Sequence, residues 1–384
     1  MAKSKDKEEI PSIEEYMSEI NKQYGDNTAV RGVELVVKRR RLPTGIFSVD
    51  FATCGGIPLN QVTCFKGPES GGKSSVAMSV AATLSKMCLR CMSFECSCSL
   101  PKLTAKTAWL DVEGTFDRDW AEAIGLAPDD YYIVHADDAE QYSWIASNLA
   151  KLPDCGLIVV DSVGALVPSK ISESAVYDQF IGNEAKLITR MIKLISNNLA
   201  RRSQEHPCAA IVINQVRYKI GELYGNPETM PGGQALKHLS SMIVRFNKVA
   251  LLEKEKKTMI DDNRKLNIAQ RHSFTIEKHK VSILSGGGSF LRCKEDVYDS
   301  ETDELLYRRG QVVEYQTVME LAKRYAVVTQ TVGGKWGAPS VSDETGTQKD
   351  LIKYWRENDD VFLKVQRAVI NEGIRTVFGG GVIF

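Results

Sequence analysis

The sequence predicts an α/β protein: a mostly parallel, twisted sheet flanked by helices, with an N-terminal helix and a small α+β C-terminal lobe. Three observations carry that expectation. A strand-like run, a glycine-rich turn and a helix-like run succeed one another between Val62 and Met87. From Pro43 to about Val249, apolar runs alternate with amphipathic stretches, the pattern of parallel strands joined by helical crossovers. Four of those runs, 62–65, 108–112, 157–160 and 209–213, read as buried strands. Each stops where an α/β sheet presents its ligands, at the carboxyl ends of the strands.

At 384 residues the chain exceeds one small domain. The expected division is 1–42 as an N-terminal helix and linker, 43–285 as the core with a cysteine-rich insertion at about 87–104, and 286–384 as the C-terminal lobe. Hydrophobic residues make up 43% and charged residues 26%, ordinary for a globular chain. Forty-nine basic residues balance 49 acidic ones, so net charge gives no nucleic-acid signal and any such surface must be local. No apolar run approaches membrane-spanning length, and Met1-Ala2-Lys3-Ser4-Lys5-Asp6 leads into charge rather than an apolar signal segment. A cytoplasmic protein without a membrane partner is expected. Its nine cysteines then read as reduced thiols or metal ligands.

Taken in order, residues 1–12 are charged and expected to fray. Ser12-Ile13-Glu14-Glu15 opens a capping box. Ile13, Tyr16, Met17, Ile20 and Tyr24 recur at helical spacing until Gly25. The basic run Lys38-Arg39-Arg40-Arg41 reads as a solvated strand end or a phosphate contact. Next comes Gly67-Pro68-Glu69-Ser70-Gly71-Gly72-Lys73-Ser74-Ser75, which fits the phosphate-cradling P-loop. Its glycines let the backbone curl so that successive N–H groups face an anion. Lys73 can reach β- and γ-phosphates, and the Ser74 hydroxyl can bind Mg²⁺. The following helix adds its N-terminal partial charge.

The second apolar run ends in Asp111-Val112-Glu113. Glu113 reads either as the carboxylate that polarises an attacking water or as a solvated loop acid. The third ends in Asp161-Ser162, the Walker-B pattern of a carboxylate that helps to hold Mg²⁺. The fourth ends in Asn214-Gln215, an amide placed to sense a γ-phosphate. A long Gly- and Pro-rich loop with basic and aromatic residues follows, including Arg217, Lys219, Ile220, Gly232 and Gly233. Ligation or release of a phosphate beside Gln215 would order or free it. Further on, 253–271 reads as a charged connector or helix, then a strand-rich segment runs to about Val313 with a hairpin at 299–303. A helix around 318–325, a hairpin at 327–336 and one or two helices at 351–370 complete the lobe. Lys335, Lys349, Lys353 and Arg356 there read as a local basic binding surface or a merely solvated one.

Forty positions separate Lys73 from Glu113. Between them lie Cys88, Cys91, Cys96 and Cys98, a C-x2-C-x4-C-x-C spacing open to one tetrahedral Zn²⁺, to free thiols, or to redox-linked pairs. Cys54, Cys64, Cys155, Cys208 and Cys293 lie in apolar settings and read as packing residues.

Together these residues resemble the RecA family of DNA strand-exchange recombinases, over nearly the whole chain. The P-loop of 67–74, Glu113 after its Asp-x-Glu strand end, and 159–163 (Val-Val-Asp-Ser-Val) match family motifs. The most specific match is Asn214 to Gly221, then Gly225 to Thr229, then Gly232 to Lys237. The resemblance implies a RecA-type P-loop ATPase core that forms a filament of its own copies on single-stranded DNA and pairs it with homologous duplex DNA, using ATP and Mg²⁺. It implies that the loop after Gln215 and the loop at about 172–180, with Lys186 beyond it, bind DNA. It places Asp117 and Trp120 at the adenine pocket, Trp120 standing where the family usually has Tyr. Lys278 and Lys280 would reach a neighbouring protomer's ATP, and the N-terminal helix would dock on that neighbour. Departures are His238 for an aromatic, Ile243 for a basic residue, and Lys186 and Lys193 for arginines, which loses bidentate phosphate geometry. The family's acidic tail has no counterpart before Phe384, from which less restrained DNA access is expected. The insertion between Lys73 and Glu113 is longer than usual. A hexameric helicase or branch-migration motor shares the P-loop and Walker-B residues without the long signature, and a non-catalytic DNA-coating protein would not need Glu113.

Overall fold

The computed structural model describes residues 11–25, 28–29, 31–32, 40–99, 101–169, 178–203, 205–218, 228–229, 233–247, 260–261, 264–265, 269–281, 283–298 and 302–378. Two compact units separate at 39/40. The first holds α1 (Ile13–Tyr24), started by the expected capping box. The Ser12 side chain accepts from the Glu15 N–H at 3.2 Å, and the Glu15 carboxylate accepts from the Ser12 N–H at 2.7 Å. Within this unit Ile13, Tyr16 and Tyr24 are exposed. The basic pair Lys38-Arg39 lies outside the described residues.

The second unit is organised by nine strands. In chain order it begins with a small hairpin, β1 (Arg41–Leu42) on β2 (Ile57–Pro58), with α2 (Phe47–Ala52) between them. Then follow β3 (Val62–Gly67), α3 (Lys73–Lys86), β4 (Lys106–Asp111), α4 (Arg118–Ile124), β5 (Tyr131–Val134), α5 (Ala139–Leu149), β6 (Cys155–Asp161), α6 (Asp178–Ala200) and β7 (Ala209–Gln215). A two-residue pair, β8 (Arg217–Tyr218) and β9 (Glu228–Thr229), precedes α7 (Gly233–Leu239) and β10 (Met242–Phe246). Short β11 (Ile260–Asp261) and β12 (Arg264–Lys265) lead into β13 (Ala269–His279) and β14 (Gly287–Cys293). β15 (Val297–Tyr298) pairs with β16 (Leu305–Tyr307), and β17 (Val312–Val313) closes the sheet, whose order is β17-β14-β13-β10-β3-β7-β6-β4-β5. From β10 to β5 the neighbours are parallel, and from β10 outward to β17 they are antiparallel.

The parallel strands are buried on both faces, which is why they read as near-continuous apolar runs. Phe65, Trp109, Val159 and Ile211 pack with Val76, Val80 and Leu84 of α3. Cys64, Leu110, Ile158 and Val212 pack with Ile188, Ile192 and Ile195 of α6 on the other face. Alternate residues of each strand thus serve opposite layers.

All four expected strands are present. Two the sequence reading passed over, β5 and β10, extend the sheet. Of the stretch assigned to a charged connector or helix through Arg271, the described residues form strand: β11, β12 and, from Ala269, β13, in which His272, Phe274 and Ile276 alternate inward. The basic run is corrected at its end. Arg41 is buried in β1 and Arg40 donates to the Leu89 carbonyl at 3.2 Å, so neither is a solvated strand end.

Beyond the sheet, α8 (Tyr315–Arg324), α9 (Gln348–Glu357) and α10 (Asp359–Phe378) enclose a third core with β18 (Thr329–Gln330), β19 (Trp336–Gly337) and β20 (Thr345–Gly346) nearby. Phe47 and Phe51 of α2 enter that core while Val49 and Ala52 enter the first, so α2 joins the two. The buried Glu314 carboxylate caps α2, accepting from the N–H groups of Phe47 and Ser48 at 2.7 Å each and from the Ser48 hydroxyl. The expected pair of strands around 299–303 and the expected C-terminal helices are present, the latter as two.

Candidate active site

Register brings the chemistry together. Gly67 at the end of β3 lies opposite Gln215 at the end of β7, and Asp111 of β4 lies opposite Asp161 of β6. Beyond the strand end, Val112 N–H and Glu113 N–H both donate to the Asp161 carbonyl, at 2.8 and 3.3 Å. Residues far apart in the chain therefore share one edge of the sheet.

The P-loop connects β3 to α3. Gly67 (φ 148°), Ser70 (φ 58°) and Gly72 (φ 94°) take left-handed backbone, which turns the loop around its own interior. Gly72 is the N-cap of α3 and no side chain caps that helix, so its first N–H groups and dipole end are directed to the cleft. That cradle fits a polyphosphate. Lys73 is buried and its ammonium donates to the carbonyls of Gly67 (3.1 Å) and Pro68 (2.6 Å). Burial pulls its pKa down, against the opposing pull of Asp161, Glu113 and Glu69. Burial pushes the Asp161 carboxyl up to about 6, only partly offset by a hydrogen bond from Ser74, while Glu113 and Asp111 push it further. A buried carboxylate beside a hydroxyl, with other acids close by, is suited to a divalent cation. Ser74 and Asp161 would hold the Mg²⁺ of a bound Mg·ATP, which supplies the electrophilic phosphoryl group.

Glu113 is exposed, near enough to Lys73 and Asp161 to act on both charges. Its Oε1 accepts from Gln215 Nε2 at 3.0 Å and from the Ser162 hydroxyl. These donors fix the carboxylate in place, and the structure thereby joins the two residues that sequence assigned to water activation and phosphate sensing. Trp120 lines the cleft beside the P-loop. Its indole N–H donates to Ser75 Oγ at 2.9 Å, and Lys294 lies 4.4 Å from the ring centroid. Asp117 caps α4 by accepting from the Trp120 N–H at 2.9 Å, so it positions the tryptophan.

Three cleft residues escaped the sequence reading: Gln270, His272 and Lys294. His272 Nδ1 faces the Gly71 carbonyl at 3.1 Å and so carries the proton that it donates. Burial holds its pKa down at about 4. The signal existed, since His272 shares the inward phase of Phe274 and Ile276. Lys294 follows the end of β14, and only the fold brings it to the cleft.

Lys278 and Lys280 are tied within the chain. Both ammonium groups donate to the His238 carbonyl, at 3.1 and 2.9 Å, and Lys278 also to Lys237, at the C-terminal end of α7. Lys186 and Lys193 are exposed on α6, and Ile243 is buried in β10. Of the second loop, β8 and β9 are described, with Arg217 opposite Thr229. Lys219, Ile220 and Gly232 lie outside the described residues, as does most of the first loop, and Gly233 opens α7.

In the insertion, the four cysteine sulfurs lie within 4.8 Å of one another. The other five cysteines are buried, as expected of packing residues.

A parallel sheet with a P-loop after its central strand, an acid-and-amide pair opposite it and a buried Walker-B aspartate define a P-loop ATPase. A family model described as the RecA N-terminal domain matches residues 11–289. The chain belongs to the RecA family. It is 29% identical to Protein RecA of Geobacter sulfurreducens over 364 residues, 94% of this chain and 92% of that protein. It is 32% identical to Protein RecA of Clostridium acetobutylicum over 246 residues, 64% of this chain and 65% of that protein. Protein RecA of Laribacter hongkongensis is 28% identical over 369 residues, 95% and 90% of the two chains. Among the described residues, no helix is long and apolar enough to cross a membrane.

Proposed function

We propose that this chain is an ATP-dependent DNA recombinase, which assembles as a filament on single-stranded DNA and pairs it with homologous duplex. Hydrolysis of ATP is stimulated by DNA. The observation that carries the reading is the Gln215–Glu113 hydrogen bond of 3.0 Å, because Gln215 ends β7 and the β8–β9 loop begins two residues later. One amide holds the carboxylate that would orient water and also tethers the segment that would contact DNA. A γ-phosphate competing for that amide would pull on the loop, linking nucleotide state to DNA affinity.

Lys73 and the α3 N-terminus bind phosphate, Ser74 and Asp161 bind Mg²⁺, Glu113 orients the nucleophilic water, and Trp120 offers the base a ring face. Lys278 and Lys280 would leave α7 to meet a neighbouring protomer's nucleotide. Arg217, Lys219, Lys186 and the backbone at Gly232 and Gly233 would contact DNA phosphates, Ile220 would insert between bases, and the binding would be salt-sensitive and largely sequence-independent.

The test is Gln215→Ala, with DNA affinity measured with and without a non-hydrolysable ATP analogue. The expected result is a nucleotide effect reduced at least tenfold while ATP still binds. An undiminished effect refutes the sensor role. Electron microscopy with ATP and single-stranded DNA should give helical filaments, and closed rings would instead identify a helicase-type motor.

A further inference from the structure

We propose that Cys88, Cys91, Cys96 and Cys98 bind one structural Zn²⁺, and that the metal-closed knuckle braces the last helix, α10. The cluster shares no residue with the nucleotide cleft, so loss of metal and loss of ATP binding are separately measurable.

The geometry is that of a single-ion site. Zinc–thiolate bonds of about 2.3 Å in a tetrahedron place the sulfurs about 3.8 Å apart, and here all four lie within 4.8 Å of one another as free thiols. A multi-iron cluster distributes its thiolates over several metals and needs them more widely spread. The first pair sits on a tight backbone knuckle. Cys88 N–H donates to the Ser93 carbonyl at 2.8 Å, and Met92 takes φ 56°, a left-handed value uncommon for a side chain of that length. The Leu103 N–H donates to the Cys88 sulfur at 3.4 Å. Such N–H···S bonds orient a metal-bound thiolate and offset its charge.

The bonds that otherwise close the segment are few: the Leu89 N–H donates to the Leu103 carbonyl at 3.1 Å, the Arg90 guanidinium to the Pro101 carbonyl at 3.0 Å and the Lys102 ammonium to the Lys86 carbonyl at 2.6 Å. Among its described residues, the only regular pairing is the isolated bridge between Cys88 and Ser93. Met87, Cys88 and Leu89 are buried, but Cys96 is exposed and Cys98 half-buried. Metal ligation supplies the folding energy that so short a loop cannot draw from a core of its own. What it holds in place is Phe94, whose ring lies 5.0 Å from the Arg367 guanidinium of α10. Met92 and Phe94 also line a cavity whose far wall is Leu363 and Ile370. Closing the knuckle thus fixes one wall of the contact between the insertion and the C-terminal helix.

The test uses the full chain purified without chelator. Elemental analysis and native mass spectrometry should find one zinc per chain, and a mercurial reagent should release one equivalent. Cys96→Ser removes an exposed ligand without opening a cavity, and should weaken zinc retention against a chelator at least tenfold, whereas Ser97→Ala should not. Hydrogen exchange of 359–378 should rise in Cys96→Ser and, should that variant fail to fold, in the wild type after zinc removal. Metal-free protein whose four thiols alkylate as fast as free cysteine overturns the site. So do disulfides among the four, or iron in place of zinc. Unchanged exchange of α10 after zinc removal overturns the bracing role.

Discussion

Gly72→Ala isolates the physics of the phosphate cradle. Gly72 sits at φ 94°, where an L-residue pays a backbone penalty of about 1–2 kcal/mol. A Cβ built there would also lie 2.5 Å from His272 Nδ1 and 2.8 Å from Cε1. That ring cannot retreat easily, because it stacks on Phe290 with centroids 5.1 Å apart and donates to the Gly71 carbonyl. Overpacking of this kind costs about 1–3 kcal/mol. The sum, about 2–5 kcal/mol, should appear in urea unfolding. Gly334→Ala is the control, since Gly334 has φ 75° but its nearest neighbour, Gln330 Nε2, lies at an ordinary 3.8 Å, so it should lose only the backbone share. In a double-mutant cycle with His272→Ala the clash share should vanish, leaving Gly72→Ala less costly by about 1–3 kcal/mol in the His272→Ala background. ATP affinity should fall at least tenfold in the single variant, because the first turn of α3 must shift. Equal costs for Gly72→Ala and Gly334→Ala, or full additivity in the cycle, would refute the reasoning.

Lys73→Ala should abolish DNA-stimulated phosphate release, by about 10²-fold or more, since it removes the cation at the developing phosphoryl charge; unchanged turnover would remove the assigned site. Glu314→Ala should cost about 3–5 kcal/mol in chemical unfolding. It strands the Phe47 and Ser48 N–H groups and leaves the buried Arg292 without the nearby charge that favours its ionised form. Glu314→Gln, which keeps an acceptor, should cost clearly less. His272 carries a pH signature. Its folded pKa of about 4 lies below the unfolded value of 6.5, so the unfolded chain binds more protons between them. Its stability contribution is present above pH 6.5 and is lost as pH falls towards 4. Unfolding midpoints at pH 6.5 and 4.5 should therefore differ less in His272→Asn than in the wild type, and an unchanged difference would remove the assignment.

What the sequence disclosed follows from how each signal is generated. Strands β3, β4, β6 and β7 are sheltered on both faces, so burial wrote itself as unbroken apolar runs. The edge strand β5 is only the four residues Tyr131–Val134, with none fully buried and Tyr132 exposed, so its short run lacks the two-sided burial of the central strands. In β10 the run is broken by Arg245, which the fold accommodates beside Glu277 at 3.7 Å, a partner that only sheet pairing supplies. Motif residues were legible for a different reason. Lys73, Asp161 and Glu113 are held at fixed offsets from strand ends by local backbone, and spacing alone locates them. His272 and Lys294 reach the same cleft through the antiparallel extension β13–β14, which has no fixed spacing from the P-loop. The same contrast bears on mechanism. Gln215 and Glu113 are 102 positions apart, yet adjacent strand ends make them partners at 3.0 Å. In the proposed roles, the sensor amide and the catalytic carboxylate share this hydrogen bond. Any event that draws Gln215 away also releases one of the donors holding Glu113, so under the proposed roles loop state and hydrolysis would be coupled through that one hydrogen bond.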